Sequence, residues 1–516
     1  MPEKQVIRRG DGRVCFFMSQ IHVEHLTFAY PGSYDPVFED VSFTLDTDWR
    51  LGFTGRNGRG KTTFLRLLCG EFPYEGAISA SVRFEYFPYA CNAGDSVPVS
   101  EALHALDPSL EDWRLLREFA RLNVSEDVLE RPFSTLSNGE QTKVLLAALF
   151  LRENAFLLID EPTNHLDEKG RELLAAYLRT KKGFLLVSHD RTLLDACTDH
   201  TLSINRQDID VQQGNFSSWY ENKQREDAFE AAENDRLKKD IRRLRESARQ
   251  TKQWADKTEA SKIGYDPKKE ERNISSRSYI GKKSEKMQQR RKNLERRQQE
   301  EIEEKSELLR NVEEAESLKL SPLVWHSARL CEGKDVSISY GERAVTEHLT
   351  FSVFQGERIA LCGENGCGKS SVLKLIIGEP IPCTGKFSRA AGLKISYVAQ
   401  NASALSGDLD DYARGYGVDI PLFRAILRKL DFSRVQFEKP MESYSAGQKK
   451  KVMLARSLCE QAHLYIWDEP LNYIDVFSRM QIEALLLESR STLLFVEHDR
   501  AFTEKIATRR IELGKK

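Results

Sequence analysis

The chain has 516 residues and a formal net charge of −2 at pH 7, from 77 Lys and Arg against 79 Asp and Glu. This length exceeds what one hydrophobic core organises, so two or three domains are expected. The nine cysteines are scattered without a CxxC pair, which argues against a disulfide or zinc framework and favours a reducing compartment. The longest apolar run, Val144–Leu151, is far too short for a membrane-spanning helix. We therefore expect a soluble cytoplasmic protein without a membrane domain.

The first 18 residues carry charge but no apolar segment long enough for a signal peptide, so residues 1–18 are predicted to be a tail. Strand-like alternation begins directly after Met18, and translation could begin at Met1 or at Met18. From that point the pattern divides the chain into a domain at 19–212, a charged segment at 213–322 and a second domain at 323–516.

Two glycine-rich stretches, GRNGRGKT at Gly55–Thr62 and GENGCGKS at Gly363–Ser370, match the phosphate-binding loop pattern. Each follows an apolar strand-like run and precedes a helical pattern. Glycines allow backbone N–H groups to turn towards phosphate oxygens, and the start of the next helix favours negative charge. We expect Lys61 and Lys369 to reach the outer phosphates, and the hydroxyl residue after each lysine to bind Mg²⁺.

The two loops belong to a long internal repeat. Lys61 and Lys369 lie 308 residues apart, and so do Asp160 and Asp468. LSNGE, FLLIDEP and FLLVSHD in the first half correspond to YSAGQ, LYIWDEP and LLFVEHD in the second half. A spacing this regular indicates two copies of one nucleotide-binding module.

In type and order, these motifs resemble those of the ATP-binding cassette superfamily: aromatic A-loop, Walker A, Q-loop, signature, Walker B, D-loop and switch histidine. The resemblance implies an α/β fold with two P-loop ATP-binding cassettes that hydrolyse ATP with Mg²⁺. The implied ATP-binding residues are Tyr30, Gly55, Asn57, Gly58, Gly60, Lys61, Thr62, Thr63, Ser137, Gly139, Asp160, Tyr340, Gly363, Asn365, Gly366, Gly368, Lys369, Ser370, Ser371, Gln400, Ser445, Gly447 and Asp468.

Specific roles follow from the same resemblance. Tyr30 and Tyr340 would stack on adenine. The implied Mg²⁺ ligands are Thr62, Ser370 and Gln400, with Asp160 and Asp468 acting through water. The implied catalytic residues are the general bases Glu161 and Glu469 and the γ-phosphate sensors His189 and His498.

In such proteins the cassettes pack head to tail, so each Walker A loop faces the signature turn of the other cassette. ATP then holds the closed state together and hydrolysis releases it. The two sites are not equal here, because Tyr89 stands where the second half has Gln400. Tyrosine is a poor Mg²⁺ ligand, so slower hydrolysis at the site of Lys61 and neutral drift both remain open.

The segment 213–322 is predicted to form a long antiparallel helical hairpin that links the cassettes. A coiled-coil-like seam includes Leu237 and Ile241, and a second helical stretch runs from about Lys282 to Leu318. The stretch from Ile241 to Arg297 contains 19 Lys and Arg residues but only 8 Asp and Glu residues. This excess of positive charge is suited to binding a polyanion. The residues predicted to contact RNA at the tip are Trp254, Lys257, Lys262, Tyr265, Lys268, Lys269, Arg272, Arg277, Tyr279, Lys282 and Lys283.

Two cassettes, a charged linker and the motifs GNFS, QTKV and DEPTNHLD resemble the ABC-F family of ribosome-associated ATPases. The resemblance implies a monomer with intramolecular cassette pairing that binds the ribosomal E site and meets large-subunit rRNA and P-site tRNA. The absence of a large arm between Tyr89 and the first signature resembles the Lsa-type antibiotic-resistance branch, which protects against lincosamides, pleuromutilins and streptogramin A. A housekeeping ABC-F translation factor and the ATPase subunit of an importer are the alternatives.

Overall fold

The structure is a computed structural model that describes residues 20–31, 36–89, 97–164, 166–204, 209–263, 296, 320, 322–341, 343–403, 405–430, 432 and 434–514. The chain divides into two compact units. One unit comprises Met1–Trp219 with Ser317–Lys516, and the other comprises Tyr220–Glu316. Within the described ranges no helix is long and apolar enough to cross a membrane.

The first cassette is an α/β domain with two sheets. Its described strands are β1 (Gln20–Phe28), β2 (Phe38–Asp46), β3 (Arg50–Thr54), β4 (Glu75–Ser79), β5 (Arg83–Phe87), β6 (Ala155–Asp160), β7 (Phe184–Val187), β8 (His200–Ile204) and β9 (Ile209–Gln213). Its described α-helices are α1 (Lys61–Leu68), α2 (Val99–Leu106), α3 (Asp112–Arg121), α4 (Asn138–Leu149), α5 (Glu168–Arg179) and α6 (Arg191–Cys197). Short 3-10 turns lie at Glu126–Leu129 and Phe133–Thr135.

The main sheet of this cassette has the order β5-β6-β7-β3-β8-β9, parallel except for β9. The central strands are continuous apolar runs because both of their faces are covered, as in other parallel sheets. Strand β7 pairs with both β3 and β6, with Val187 opposite Phe53 and Asp160. The carboxyl ends of these strands therefore meet at one edge, where the phosphate loop, Asp160 and His189 follow. A smaller antiparallel sheet has the order β2-β1-β4.

After the first cassette, α7 (Phe216–Ile263) is a single helix of 48 residues. At 1.5 Å per residue it is about 70 Å long. This helix contains the seam residues Leu237 and Ile241. The predicted return helix from Lys282 to Leu318 lies outside the described residues except at single positions, so the hairpin stays a prediction.

The second cassette repeats the same order of elements. Its described strands are β10 (Arg329–Tyr340), β11 (Arg343–Phe354), β12 (Arg358–Cys362), β13 (Cys383–Arg389), β14 (Ile395–Val398), β15 (Leu464–Asp468), β16 (Leu493–Val496) and β17 (Arg509–Glu512). Its described α-helices are α8 (Lys369–Ile377), α9 (Leu409–Gly415), α10 (Ile420–Lys429), α11 (Ala446–Cys459), α12 (Val476–Glu488) and α13 (Arg500–Ile506), with 3-10 turns at Arg434–Glu438 and Met441–Ser443. The sheet orders are β14-β15-β16-β12-β17 and β11-β10-β13. The predicted fold class, α/β with two cassettes, is confirmed.

Candidate nucleotide-binding sites

Both phosphate-binding loops wrap around their own lysine. Lys61 Nζ donates to the carbonyl oxygens of Gly55 and Arg56, at 2.6 and 3.1 Å. Lys369 Nζ donates in the same way to Gly363 and Glu364, at 2.7 and 2.9 Å. Each lysine is the first residue of its helix, α1 or α8, so its ammonium group lies at the positive end of that helix. Both the ammonium group and the helix start attract phosphate there.

The glycine before each lysine is required by space as well as by conformation. Gly60 and Gly368 have φ values of 93° and 94°, in the left-handed region. A Cβ atom on Gly60 would lie 2.5 Å from Val37 Cγ1, and one on Gly368 would lie 2.2 Å from Thr346 Oγ1. Val37, directly before β2, and Thr346 of β11 therefore pack against these glycines, and no side chain fits at either position.

The hydroxyl and carboxylate groups expected to bind Mg²⁺ lie together in each cassette. Thr62 Oγ1 donates to Asp160 Oδ2 at 2.9 Å, and Ser370 is hydrogen-bonded to Asp468. Asp468 Oδ1 is buried and has no hydrogen-bond partner among the described residues. An unpartnered buried carboxylate oxygen beside a hydroxyl group is a hard-oxygen set that fits Mg²⁺.

The two candidate general bases share an unusual backbone conformation. Glu161 and Glu469 follow the last residues of β6 and β15, with φ values of 50° and 47°. Non-glycine residues seldom adopt this region, and such strain concentrates at functional sites. His189 Nε2 lies 3.4 Å from Glu161 Oε1, and His498 Nε2 lies 3.5 Å from Glu469 Oε1. Each predicted base and switch histidine are therefore brought together.

The predicted adenine-stacking tyrosines lie on the surface beside their own phosphate loops. Tyr30 and Tyr340 are 42% and 45% exposed, which is high for tyrosine. The Tyr30 hydroxyl is 2.7 Å from Thr63 Oγ1, and the Tyr340 hydroxyl donates to Ser371 Oγ at 3.2 Å. These hydrogen bonds fix the hydroxyl ends of the rings and leave an aromatic face open to a base.

Each signature serine begins a helix. Ser137 and Ser445 are the N-cap residues of α4 and α11, and each forms a capping box with the residue three positions later. In each box the serine hydroxyl accepts from the backbone N–H three residues later, at 3.3 Å. A helix start of this kind favours an anion such as the γ-phosphate.

The signature turns lie opposite the phosphate loops of the other cassette. A cavity of about 1270 Å³ is lined by Ser137 and Gly139 together with the loop of Lys369, including Asn365, Gly366, Gly368, Ser370 and Ser371, and with Gln400, Glu469 and His498. A second cavity of about 870 Å³ is lined by Ser445 and Gly447 together with Asn57, Gly58, Glu161 and His189. Each cavity is therefore composite, with one face from each cassette.

Comparison with known proteins identifies these domains. A family model described as ABC transporter matches residues 38–164 and 346–472. The ribosome protection protein VmlR of Bacillus subtilis (strain 168) is 27% identical over 493 residues, which cover 93% of this chain and 84% of VmlR. The energy-dependent translational throttle protein EttA of Haemophilus influenzae is 25% identical over 532 residues, covering 93% of this chain and 89% of EttA.

The chain belongs to the ABC-F family of ATP-binding cassette proteins. It is an ATPase. A solved structure of archaeal aABCE1 in complex with the stalk protein aP1 has a TM-score of 0.63 and 19% identity, and the match covers 95% of this chain and 88% of that one. At this identity the likeness concerns the fold alone, and it agrees with the tandem cassettes.

The two candidate general bases of this ABC-F protein, Glu161 and Glu469, differ in charge. Burial, and after it the charge of the neighbouring Asp160 carboxylate, raise the pKa of Glu161 to about 8. Burial also raises the pKa of Glu469, but contacts with His498 and Gln400 outweigh it and hold the pKa at about 2. At neutral pH Glu469 is therefore ionised while Glu161 is protonated.

Tyr89, where the second half has Gln400, has its ring 5.8 Å from the guanidinium carbon of Arg152. Tyr86, three residues earlier, instead donates its hydroxyl to Asp160 Oδ2 at 3.0 Å. Sequence reasoning missed Tyr86, although its place in the repeat opposite Tyr397 was the available signal. Tyr397 likewise lies near the Walker B carboxylate of the second site, Asp468, so the two sites differ in Gln400, whose side chain is hydrogen-bonded to Glu469.

The linker-tip prediction falls mostly outside the described part of the chain. Trp254, Lys257 and Lys262 belong to α7. The other predicted tip residues, which lie outside the described residues, are Tyr265, Lys268, Lys269, Arg272, Arg277, Tyr279, Lys282 and Lys283. The RNA-contacting role of all of them stays a prediction.

Proposed function

We propose that this ABC-F protein is a ribosome-bound ATPase that protects the peptidyl transferase centre against lincosamides, pleuromutilins and streptogramin A. The observation that carries the proposal is the similarity to the ribosome protection protein VmlR over nearly the full length of this chain. In the proposal the monomer acts in the cytoplasm, binds the E site in its ATP-closed form and directs the linker tip towards P-site tRNA and large-subunit rRNA.

The composite cavities suit a cycle of closure and release. In the proposal Lys61 and Lys369 reach the phosphates of ATP. Ser445 and Ser137, which line the two cavities, approach the γ-phosphate from the opposite cassette. ATP therefore binds the closed state more strongly than the open one, and its hydrolysis lets the cassettes separate. Hydrolysis then sets how long the protein stays on the ribosome.

At each proposed ATP site the side chains have separate roles. Thr62 with Asp160, and Ser370 with Gln400 and Asp468, would hold Mg²⁺, which neutralises phosphate charge when bound. Glu161 and Glu469 take the proton of the attacking water. His189 and His498, each close to its glutamate, orient the water against the γ-phosphate.

The first test uses cell-free translation inhibited by one drug of each class, with and without the purified protein. We expect addition of the protein to restore translation, and the Glu161→Gln/Glu469→Gln variant to fail because it cannot leave the ribosome. Absence of rescue for all three drug classes would contradict protection. Co-sedimentation of the same variant with ribosomes in ATP tests ribosome binding separately, and its absence would favour the importer alternative.

A second test concerns the linker tip. Removal of 261–281 should abolish drug rescue while ATP hydrolysis remains measurable, because the composite sites lie wholly in the cassettes. Rescue by the shortened protein would show that the tip is not the effector.

A housekeeping translation factor is the second candidate, favoured by the similarity to EttA over 93% of this chain. This protein would act on stalled ribosomes without a drug. The two candidates differ in one measurement: a translation factor changes the rate of drug-free translation, whereas a protection protein changes translation only when drug is present.

A further inference from the structure

We propose that Lys450 and Glu497 are positioning residues of the ATP site built on Lys369, and that they make this site hydrolyse ATP faster than the site built on Lys61. The inference concerns hydrolysis by the cassettes and goes beyond the proposed function on the ribosome. Each of the two side chains holds backbone segments that carry residues of the reaction, and each is replaced in the first cassette.

Lys450 ties the Q-loop to the Walker B strand. Its ammonium group donates to the carbonyl oxygens of Ala399, Gln400 and Asp468, at 2.8, 3.1 and 3.0 Å. These three hydrogen bonds use all three ammonium protons, and the residue is only 2% exposed. Because the Gln400 side chain contacts Glu469, the clamp fixes the predicted Mg²⁺ ligand and the general base relative to each other.

Glu497 joins the D-loop to the switch histidine. Its Oε1 accepts from Leu471 N at 2.7 Å, and its Oε2 accepts from His498 N at 3.2 Å. The residue after Leu471, Asn472, donates from Nδ2 to Glu469 Oε2 at 2.8 Å. Glu497 therefore fixes the backbone on two sides of the general base, one through Asn472 and the other through His498.

In the first cassette, the residues at the positions of Lys450 and Glu497 make neither of these connections. Thr142 stands where the second half has Lys450, and its hydroxyl donates to Asn138 O within its own helix at 2.9 Å. Ser188 stands where the second half has Glu497, and its hydroxyl accepts from Asp190 N at 3.1 Å. The same fold therefore forms with small neutral residues at both places.

Because the first cassette folds without them, we infer that Lys450 and Glu497 contribute to the reaction rather than to the stability of the fold. Burying an ammonium group against neutral carbonyl oxygens costs free energy of hydration. Burial lowers the pKa of Lys450 to about 8 although nearby carboxylates, Glu497 first, act in the opposite direction. A residue needed only for packing would be served by threonine, as in the first cassette. The positive charge of Lys450 also helps to keep Glu469 ionised.

The test measures single-turnover ATP hydrolysis by the full chain, without ribosomes and at saturating Mg²⁺–ATP. In a Glu161→Gln background only the site of Lys369 hydrolyses. There, Lys450→Thr and Glu497→Ser convert each position to its first-cassette counterpart. We expect each to slow hydrolysis by about 10–100-fold, as losses of supporting residues around ligands do. The ATP concentration for half-maximal rate should change by less than about threefold, because ground-state binding groups remain.

The controls separate positioning from general damage. In a Glu469→Gln background, which leaves only the site of Lys61, Lys450→Thr and Glu497→Ser should retain the parent rate. Lys439→Thr removes an exposed lysine and should change neither rate. Equal slowing at both sites, or no slowing at the site of Lys369, would overturn the proposal.

Folding of the variants is checked by thermal melting, and Lys450→Met provides a variant of similar volume without the donors. If Lys450→Thr does not fold, Lys450→Met and Glu497→Ser decide the outcome. Because no ribosome enters the assay, failure of this inference leaves the ribosome proposal untouched, and failure of drug rescue leaves this inference untouched.

Discussion

Glu161 and Glu469 occupy equivalent positions in two copies of one fold, with nearly the same strained backbone. Their surroundings nevertheless leave one protonated and the other ionised at neutral pH. Burial and Asp160 raise the pKa of Glu161 to about 8. His189, beside it, has its pKa lowered by burial and by Lys61, so it is neutral and offers no positive charge. A general base accepts a proton only when ionised, so the two sites should depend on pH differently.

We therefore predict distinct pH profiles for single-turnover hydrolysis at the two sites. With Glu469→Gln, the site of Lys61 should speed up by roughly tenfold per pH unit as pH approaches 8 and then level off, because the ionised fraction of Glu161 rises with pH. With Glu161→Gln, the site of Lys369 should be flat from about pH 6 to 7, since Glu469 with a pKa of about 2 is already ionised. Its rate should fall as pH rises through about 8, because Lys450, whose pKa burial lowers to about 8, then loses a proton and one of its hydrogen bonds. Parallel profiles would contradict this prediction.

At the scale of elements, the helix after each switch histidine contacts the other cassette through its first residue, an arginine. Arg191 of α6 pairs with Glu483 of α12, which is fully buried and also accepts from Lys505 at 3.1 Å. Arg500 of α13 pairs with Glu172 of α5 at 2.7 Å, with both side chains about half exposed. Equivalent arginines thus make one buried and one exposed contact between the cassettes.

Comparing Arg191→Met with Arg500→Met measures how much burial increases the contribution of such a contact to the free energy of unfolding. Removing the partner of a buried carboxylate costs about 3–5 kcal/mol, and Lys505 offsets part of this for Glu483. Arg191→Met should accordingly lower the free energy of unfolding by about 2–4 kcal/mol in urea titrations. Arg500→Met should lower it by about 0–1 kcal/mol, because exposed pairs contribute little. Similar losses for both variants would show that burial does not decide the strength of this contact.

At the scale of the whole molecule, neither cassette contains a complete ATP site. The cavity around Lys369 is completed by Ser137 and Gly139, and the cavity around Asn57 and Gly58 is completed by Ser445. Asn57 Nδ2 also donates to Tyr473 O of the other cassette, at 2.9 Å. Ser137 and Lys369 thus line one cavity, and Ser445 and Asn57 another, although the residues of each pair lie far apart in the chain.

Signature substitutions should therefore act on the opposite cassette. With Glu161→Gln, which leaves the site of Lys369, Ser137→Ala should slow single-turnover hydrolysis by about tenfold or more, because a donor to the developing phosphate charge is lost. Ser445→Ala in the same background should leave the rate within about twofold, since it faces the other site. The reverse pattern would mean that each signature serves its own cassette.

Much of the site could be predicted from the sequence because its chemistry depends on local patterns. The loop glycines, Lys61 and Lys369 are set by what a backbone needs in order to surround phosphate, and repetition at 308 residues made chance matches untenable. The α/β class and the tandem cassettes followed from the same motifs. The roles of the individual residues, the domain boundaries and the RNA-contacting tip remain predictions.

The chemistry expected of each cassette could be predicted from the sequence alone, because motif residues adjacent in the chain fold into one loop or strand end. The folded protein was needed to see how Lys450 and Glu497 connect separate loops, how Tyr86 contacts Asp160, and why the paired glutamates differ in pKa. Those properties arise from contacts between segments far apart in the chain and from burial. The spacing of a motif specifies neither these contacts nor the burial, since both depend on which surfaces the folded cassettes bring together.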